Sequence, residues 1–325
     1  MNSSRLQAIS QWLTDLFPSF EGLLTPVAGD ASFRAYFRIH IDGQTWIVMD
    51  APPEHEDVRP FLQTQAMFEA LGVHVPHIKA QNLKLGALVL EDLGDTAYWP
   101  CLQNGQTHLY AQALKTLAQW QMKAVRSQCD VPDYDADKLQ EEMNLLTGWY
   151  LPKELGISAS DEQLTRLESM ESLLIERALA QPQTLVHRDF HSRNLMVIKG
   201  DMPGVIDFQD AVWGAWTYDA VSLLKDCYIE WPRDQVLAWL RAYYEDLISQ
   251  GFKRDWDEFM IDFDWMGLQR HIKVLGIFAR LHWRDGKSGY LKDIPLTLKY
   301  VRSTAALYPE LADLNALLDE WGAPR

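Results

Sequence analysis

Cysteine is scarce in this chain. Cys101, Cys129 and Cys227 are odd in number and form no Cys-x-x-Cys pair. That argues against a disulfide framework and points to reduced thiols in a cytoplasmic protein. Positive charge is also short: 30 Lys and Arg face 45 Asp and Glu, for a formal charge of −15. Such an acidic balance argues against nucleic acid or an anionic membrane as a partner. No apolar run approaches transmembrane length. Near the start, Leu6, Ile9, Leu13, Leu16 and Phe17 recur at helical spacing behind the capping residues Ser3 and Ser4. Arg5 and Asp15 interrupt that face, so a signal peptide is not expected. Internal repeats and low-complexity segments are missing too.

What is present is 325 residues, 47% hydrophobic and with 13 tryptophans, enough for a sizeable core shared by two lobes. Between residues 24 and 50 the pattern predicts strands: Thr25 to Ala28, Tyr36 to Ile39, and Trp46 to Met49 after an Asp42-Gly43 hairpin signal. Pro52 and Pro53 close that run, and a helix is expected over about 58–71, ended by Gly72. Val75 to Ile78 and Ala87 to Leu90 read as two further strands. From Thr107 onward the periodicity is helical over long segments.

The chemistry concentrates in His187-Arg188-Asp189-Phe190-His191-Ser192-Arg193-Asn194, followed by Val205-Ile206-Asp207-Phe208-Gln209-Asp210. Apolar runs at 184–186, 195–198 and 204–206 predict a buried hairpin with a rigid loop. Asp189 supplies a carboxylate that can take a hydroxyl proton. Asn194 adds an amide oxygen and Asp207 a second carboxylate, a hard-oxygen pair suited to Mg²⁺ on nucleotide phosphates. Phosphoryl transfer needs little more than this: an acceptor oxygen in line and phosphate charge neutralised. Singly, each residue has a plain explanation. Asp-Phe ends strands, Asn caps turns, and His187 and His191 read as structural histidines. No His/Cys pair completes a zinc geometry. In this order and frame the residues match the catalytic-loop and metal-binding signatures of kinase-like phosphotransferases.

The pattern His-x-Asp-x-x-x-x-Asn plus Ile-Asp-Phe-x-Asp resembles the aminoglycoside/choline phosphotransferase branch of the protein-kinase-like superfamily, over most of the chain. Residues 29–38, 48–53, 90–95 and 268–281 bring it closer to the bacterial anomeric sugar kinases of cell-wall recycling. Those enzymes phosphorylate the 1-hydroxyl of N-acetylmuramate and N-acetylglucosamine with ATP. The resemblance implies an α+β, two-lobed fold: a small antiparallel-sheet N-lobe over 1–93 and a larger, mainly helical C-lobe over 94–325. ATP and Mg²⁺ are the implied cofactors, with Asp189 as base and Asn194 and Asp207 as metal ligands. Gly29, Asp30, Ala31, Ser32, Phe33 and Arg34 would form the loop over the ATP phosphates. Met49, Glu91 and Leu93 would line the nucleotide, the last two by presenting linker backbone to adenine. A cytoplasmic monomer is expected.

Beside Asp189, the acceptor residues expected are Gln209 and Asp210, which follow the metal ligand, Trp213 as a stacking platform for a pyranose, and Arg270 and His271. The segment Arg270-His271-x-Lys273 is basic in an acidic protein. It reads either as a salt-bridged helix face or as a reader of the lactyl carboxylate of N-acetylmuramate. One departure stands out. The third strand of a kinase-like fold carries a lysine for the phosphates, and here that position holds Met49 or Asp50. Arg34 or Arg38 is the expected substitute. Two rivals remain: an aminoglycoside- or choline-type kinase, and a nucleotide-binding regulatory pseudokinase.

Overall fold

The structure is a computed structural model that describes residues 3–27 and 33–324. The chain forms two compact units, Met1–Thr96 with Met196–Asp210, and Ala97–Leu195 with Ala211–Arg325.

In the first unit, α1 (Ser3–Leu16) precedes β1 (Thr25–Pro26), β2 (Ala35–Ile41), β3 (Gln44–Asp50), α2 (Arg59–Ala70), β4 (Ile78–Asn82) and β5 (Ala87–Glu91). The strands form one antiparallel sheet in the order β1-β2-β3-β5-β4. Strand alternation sends Phe37, Ile39 and Ile41 to the face where Val48 and Val89 also lie, and Ile9 and Leu13 of α1 bury it. Arg5 ties the helix to the sheet, its Nε 2.7 Å from Asp50 Oδ1. Asp42 and Gly43 take φ of 53° and 73°, the left-handed pair that a two-residue hairpin with right-handed strand twist requires. The strand expected from Val75 begins only at Ile78, because Pro76 has no N–H to give a ladder.

The second unit opens with α3 (Tyr98–Gln103), α4 (His108–Lys123), α5 (Ala136–Met143), a π-helical segment (Leu146–Leu155), α6 (Asp161–Ala180) and β6 (Gln183–Val186). The chain then forms β7 (Leu195–Val197) and β8 (Pro203–Val205), whose hairpin clusters largely with the first unit. There Val205 donates its N–H to the His74 carbonyl at 2.8 Å, and Phe208 packs on Phe61 and Phe68 of α2 at 4.7 and 6.2 Å. Truncating Phe208 would cost about 3–5 kcal/mol. The second unit resumes with β9 (Val212–Ala215), α7 (Tyr218–Leu224), α8 (Arg233–Ser249), α9 (Trp256–Trp283), α10 (Ile294–Ala305) and α11 (Ala312–Glu320).

The hairpin expected to lead into Asp207 is present, and the run at 184–186 lies outside it. β6 pairs with β9, and β7 with β8. Periodicity marks which residues are buried in a strand but carries no information about its neighbour.

α9 is the spine of the helical unit, buried along most of its length. Gly276 lets it close on the π-helical segment's entry: a β-carbon there would lie 2.3 Å from the Leu145 carbonyl carbon. No described helix is long and apolar enough to cross a membrane.

Candidate active site

In the second unit, β6 delivers the chain into a turn at Arg188, which sits at φ 76°. Holding a residue with a β-carbon in that region costs about 1–3 kcal/mol, and the surroundings over-determine it. Buried Asp219 accepts the N–H of His187 on one oxygen at 2.7 Å and of Arg188 on the other at 3.0 Å. Burial and the nearby Asp189 charge push the Asp219 carboxyl up to about 7, against the two N–H donors and Arg270. Ser222 Oγ donates to the Arg188 carbonyl at 3.2 Å. The Arg188 guanidinium pairs with Glu142, which also accepts from Tyr134 and holds Lys273 Nζ at 3.0 Å. Lys273 donates in turn to Tyr218 Oη at 3.0 Å.

The strained residue directly precedes Asp189 and so aims it. Asp189 donates its N–H to His187 Nδ1 at 3.2 Å, and its carbonyl accepts from His191 N at 2.9 Å and Asn194 Nδ2 at 3.1 Å. The last of these bonds turns the amide nitrogen of Asn194 to the loop, and its amide oxygen is the kind of atom a hard cation takes. Ser192 anchors the loop from behind through N–H and Oγ bonds to Asp226 Oδ2. The Asp189 side chain is 44% exposed, with Arg270 Nη2 3.9 Å from Oδ1. Desolvation raises its pKa, but His191, Lys273, Arg270 and Arg188 outweigh it. The carboxyl is held below its ordinary value and is ionised at neutral pH.

The first unit carries the other group. Asp207 is also left-handed, at φ 65°, and Gln209 Nε2 donates to its Oδ1 at 2.9 Å. Gln209 Nε2 also lies 3.4 Å from an oxygen of exposed Asp210. Arg34 is 10% exposed, with Nη2 3.4 Å from Glu56. Although burial disfavours its charge, Tyr36, Glu56 and Asp207 raise its pKa. Phe33 is exposed and stacks on His55 at 4.9 Å. Gly29, Asp30, Ala31 and Ser32 lie outside the described residues. Arg38, the other candidate for the missing lysine, is committed elsewhere. It binds Asp92 at 2.6 and 3.0 Å and Asp95 at 2.8 and 3.1 Å. Met49 is fully buried opposite Tyr36. Glu91 holds His74 Nε2 at 3.0 Å and accepts the His77 N–H at 3.2 Å. Leu93 packs against Gly204.

The expected acceptor residues fare unequally. His271 is sealed in the helical core, its ring stacked on Tyr300 at 4.8 Å and its Nε2 2.9 Å from the Lys225 carbonyl. Burial pushes this imidazole down to about 3, so it is neutral and structural, not a substrate contact. Arg270 is buried beside Asp189, not spread on a solvated face, and its Nη1 lies 3.8 Å from Cys227 Sγ. Its charge therefore acts on Asp189. Trp213 lies half-buried on β9 with the Arg126 guanidinium 5.7 Å from its ring, whereas Trp216 packs on Phe252. Glu142, Tyr134 and Asp226 are the residues that motif reading passes over. Lys273, within the basic segment, left a trace in the sequence.

Asn194 and Asp207 each offer an oxygen of the kind a hard cation takes, and the Asp189 carboxylate can accept from a hydroxyl. Residues 23–259 match the phosphotransferase enzyme family. Curated N-acetylmuramate/N-acetylglucosamine kinases from Pseudomonas putida and Pseudomonas aeruginosa are each 40% identical. They cover 97% and 98% of this chain and 96% and 97% of their own. Among solved structures, an ADP-bound aminoglycoside phosphotransferase, APH(2'')-Ib, has a TM-score of 0.60 at 17% identity, covering 90% of this chain and 97% of its own. A Plasmodium vivax ethanolamine kinase has 0.64 at 12%, covering 91% and 87%. The fold is that of these kinase-like enzymes, and the chain belongs to the phosphotransferase enzyme family.

Proposed function

We propose that this enzyme transfers the γ-phosphoryl group of ATP to the anomeric 1-hydroxyl of N-acetylmuramate and N-acetylglucosamine. Identity of 40% to curated kinases of those two sugars, over nearly the whole of both chains, carries the reading. Cell-wall recycling in the cytoplasm, where ATP is at hand, is the setting it implies.

In this reading Asp189 accepts a hydrogen bond from the sugar hydroxyl and points its oxygen at phosphorus. Its depressed pKa makes it a weak base, which suits a loose transition state in which the proton leaves late and orientation counts for more than basicity. Asn194 and Asp207 are assigned as the oxygen ligands of Mg²⁺, which when bound neutralises phosphate charge. Arg34 contributes a further cation. Arg188, Glu142 and Asp219 keep the loop that bears Asp189 rigid, so that little reorganisation is needed during the reaction.

The test is ADP release with N-acetylmuramate, N-acetylglucosamine, an aminoglycoside, choline and ethanolamine offered in parallel. Turnover confined to the two amino sugars supports the proposal. Turnover with a cationic acceptor alone overturns it.

A further inference from the structure

We propose that Glu56 is a positioning residue that holds Arg34 as the polyphosphate-binding cation of this chain, a loop-and-turn ion pair standing in for the missing strand lysine. The inference rests on the phosphotransferase reading and deepens it by assigning the two residues that handle the nucleotide's phosphates.

The need for a cation is physical. A nucleotide triphosphate carries several negative charges, and a magnesium ion neutralises only part of them. β3 supplies no cation, since Met49 is apolar and Asp50 is bound to Arg5. Other arginines of the first unit are committed: Arg38 to Asp92 and Asp95, and Arg59 to Asp57.

Arg34 is placed differently. It sits one residue before β2, and strand alternation puts it on the same face as Tyr36. Tyr36 is the cross-strand partner of Met49, so that face is the one a lysine at Met49 would occupy. Tyr36 hydrogen-bonds Arg34, and Asp207 is coupled to it electrostatically. Arg34 is thus on the face that the missing lysine would occupy and within electrostatic reach of the proposed metal ligand.

Glu56 fixes it there. The turn after β3 is preset by Pro52, whose carbonyl accepts the N–H groups of both His55 and Glu56 at 2.8 Å. Two consecutive side chains then dock on it: Phe33 stacks on His55 with rings 20° from parallel, and Arg34 pairs with Glu56. A carboxylate beside a phosphate-binding arginine costs some affinity by repulsion, but it orders a long side chain before the ligand arrives. Glu69 on α2 does not compete for the guanidinium, because it is exposed and 3.5 Å from His77.

The experiment is a double-mutant cycle on the full chain with Arg34→Ala, Glu56→Gln and the double variant. Two readouts are taken: calorimetric affinity for a non-hydrolysable ATP analogue with Mg²⁺, and steady-state kinetics for ATP and acceptor. Circular dichroism and melting curves confirm folding. Arg34→Ala should lose about tenfold or more in analogue affinity and Glu56→Gln about threefold to fivefold. The double variant should lose no more than Arg34→Ala alone, and the KM for the sugar should stay within about twofold throughout. Glu56→Asp, which keeps the charge, should recover part of the loss. Wild-type affinity in Glu56→Gln, or a double-variant loss equal to the product of the two single losses, overturns the proposal while leaving the phosphotransferase reading intact. A wild-type protein that neither binds the analogue nor releases ADP overturns both.

Discussion

Replacing Glu142 by Gln is the perturbation whose consequence the structure fixes most closely. The carboxylate is 6% exposed and shared by Arg188 and Lys273, themselves 17% and 8% exposed. Removing its charge strands two cations in a region that solvent barely reaches. Breaking a buried ion pair from one side typically costs about 3–5 kcal/mol. For a unit the size of the helical one, 1 kcal/mol corresponds to roughly 2–4 °C in Tm, so the midpoint should fall by roughly 6–20 °C. The pH dependence has a definite sign. Burial opposes ionisation of Glu142, but Lys273 and Arg188 outweigh it and hold its pKa below the ordinary value. Its stabilisation is therefore complete above the unfolded-state value, about 4.3, and lost as pH falls through the lower folded-state value. Thermal and urea unfolding of both proteins at pH 7 and pH 4 tests this. The gap should be full at pH 7 and shrink on acidification. A gap under about 1 kcal/mol at pH 7, or one that widens in acid, would refute the reasoning. Replacing Glu142, Arg188 and Lys273 together by apolar residues should recover much of the stability while leaving activity impaired, because the ion pair that tethers the loop bearing Asp189 would be gone.

Asp189→Asn keeps the shape of the proposed base but not its charge; turnover should drop at least about 10²-fold with nucleotide affinity unchanged, and near-normal turnover would contradict the assignment. Arg270→Ala should lower kcat for N-acetylmuramate and N-acetylglucosamine alike, because Arg270 lies 3.9 Å from Asp189; a KM rise confined to N-acetylmuramate would show that it reads the lactyl group instead. Glu171 is buried with one carboxylate oxygen unpartnered and the other bonded to Gln140, and burial pushes its pKa up to about 7. The folded state then keeps a proton that the unfolded state has lost, so stability falls as pH rises from about 4.5 to 7. Glu171→Gln removes that slope, and by pH 8 it should be more stable than wild type by about 3 kcal/mol; equal stability at pH 5 and pH 8 would count against it.

Much of the first unit was legible in the sequence because its signals are local. The Asp42-Gly43 turn, the alternation in β2 and β3 and the apolar stripe of α1 each depend on residues a few positions apart. Pairing between distant strands is not local, so the alternation around Asp189 gave strands but not the β6–β9 partnership. The catalytic loop shows the same divide. Asp189, Asn194 and Asp207 stand out because their spacing is fixed by chemistry. Glu142 and Asp226 do not, since each is an ordinary acidic residue in sequence and meets the loop only through the fold. Arg270 was visible as a basic residue on a helix, but whether it faces solvent or Asp189 depends on how α9 is buried. Likewise Glu56 reads as one of several acids after Pro53, and only the turn that Pro52 organises brings it to Arg34.

The central claim is that phosphate reaches the anomeric oxygen of an amino sugar. Incubating the enzyme with ATP, Mg²⁺ and N-acetylglucosamine or N-acetylmuramate and recording phosphorus and proton nuclear magnetic resonance spectra of the product tests it most directly. The new phosphorus resonance should couple to the proton on carbon 1 of each sugar. Coupling to the carbon 6 protons, or ADP formation with no sugar phosphate, would contradict it.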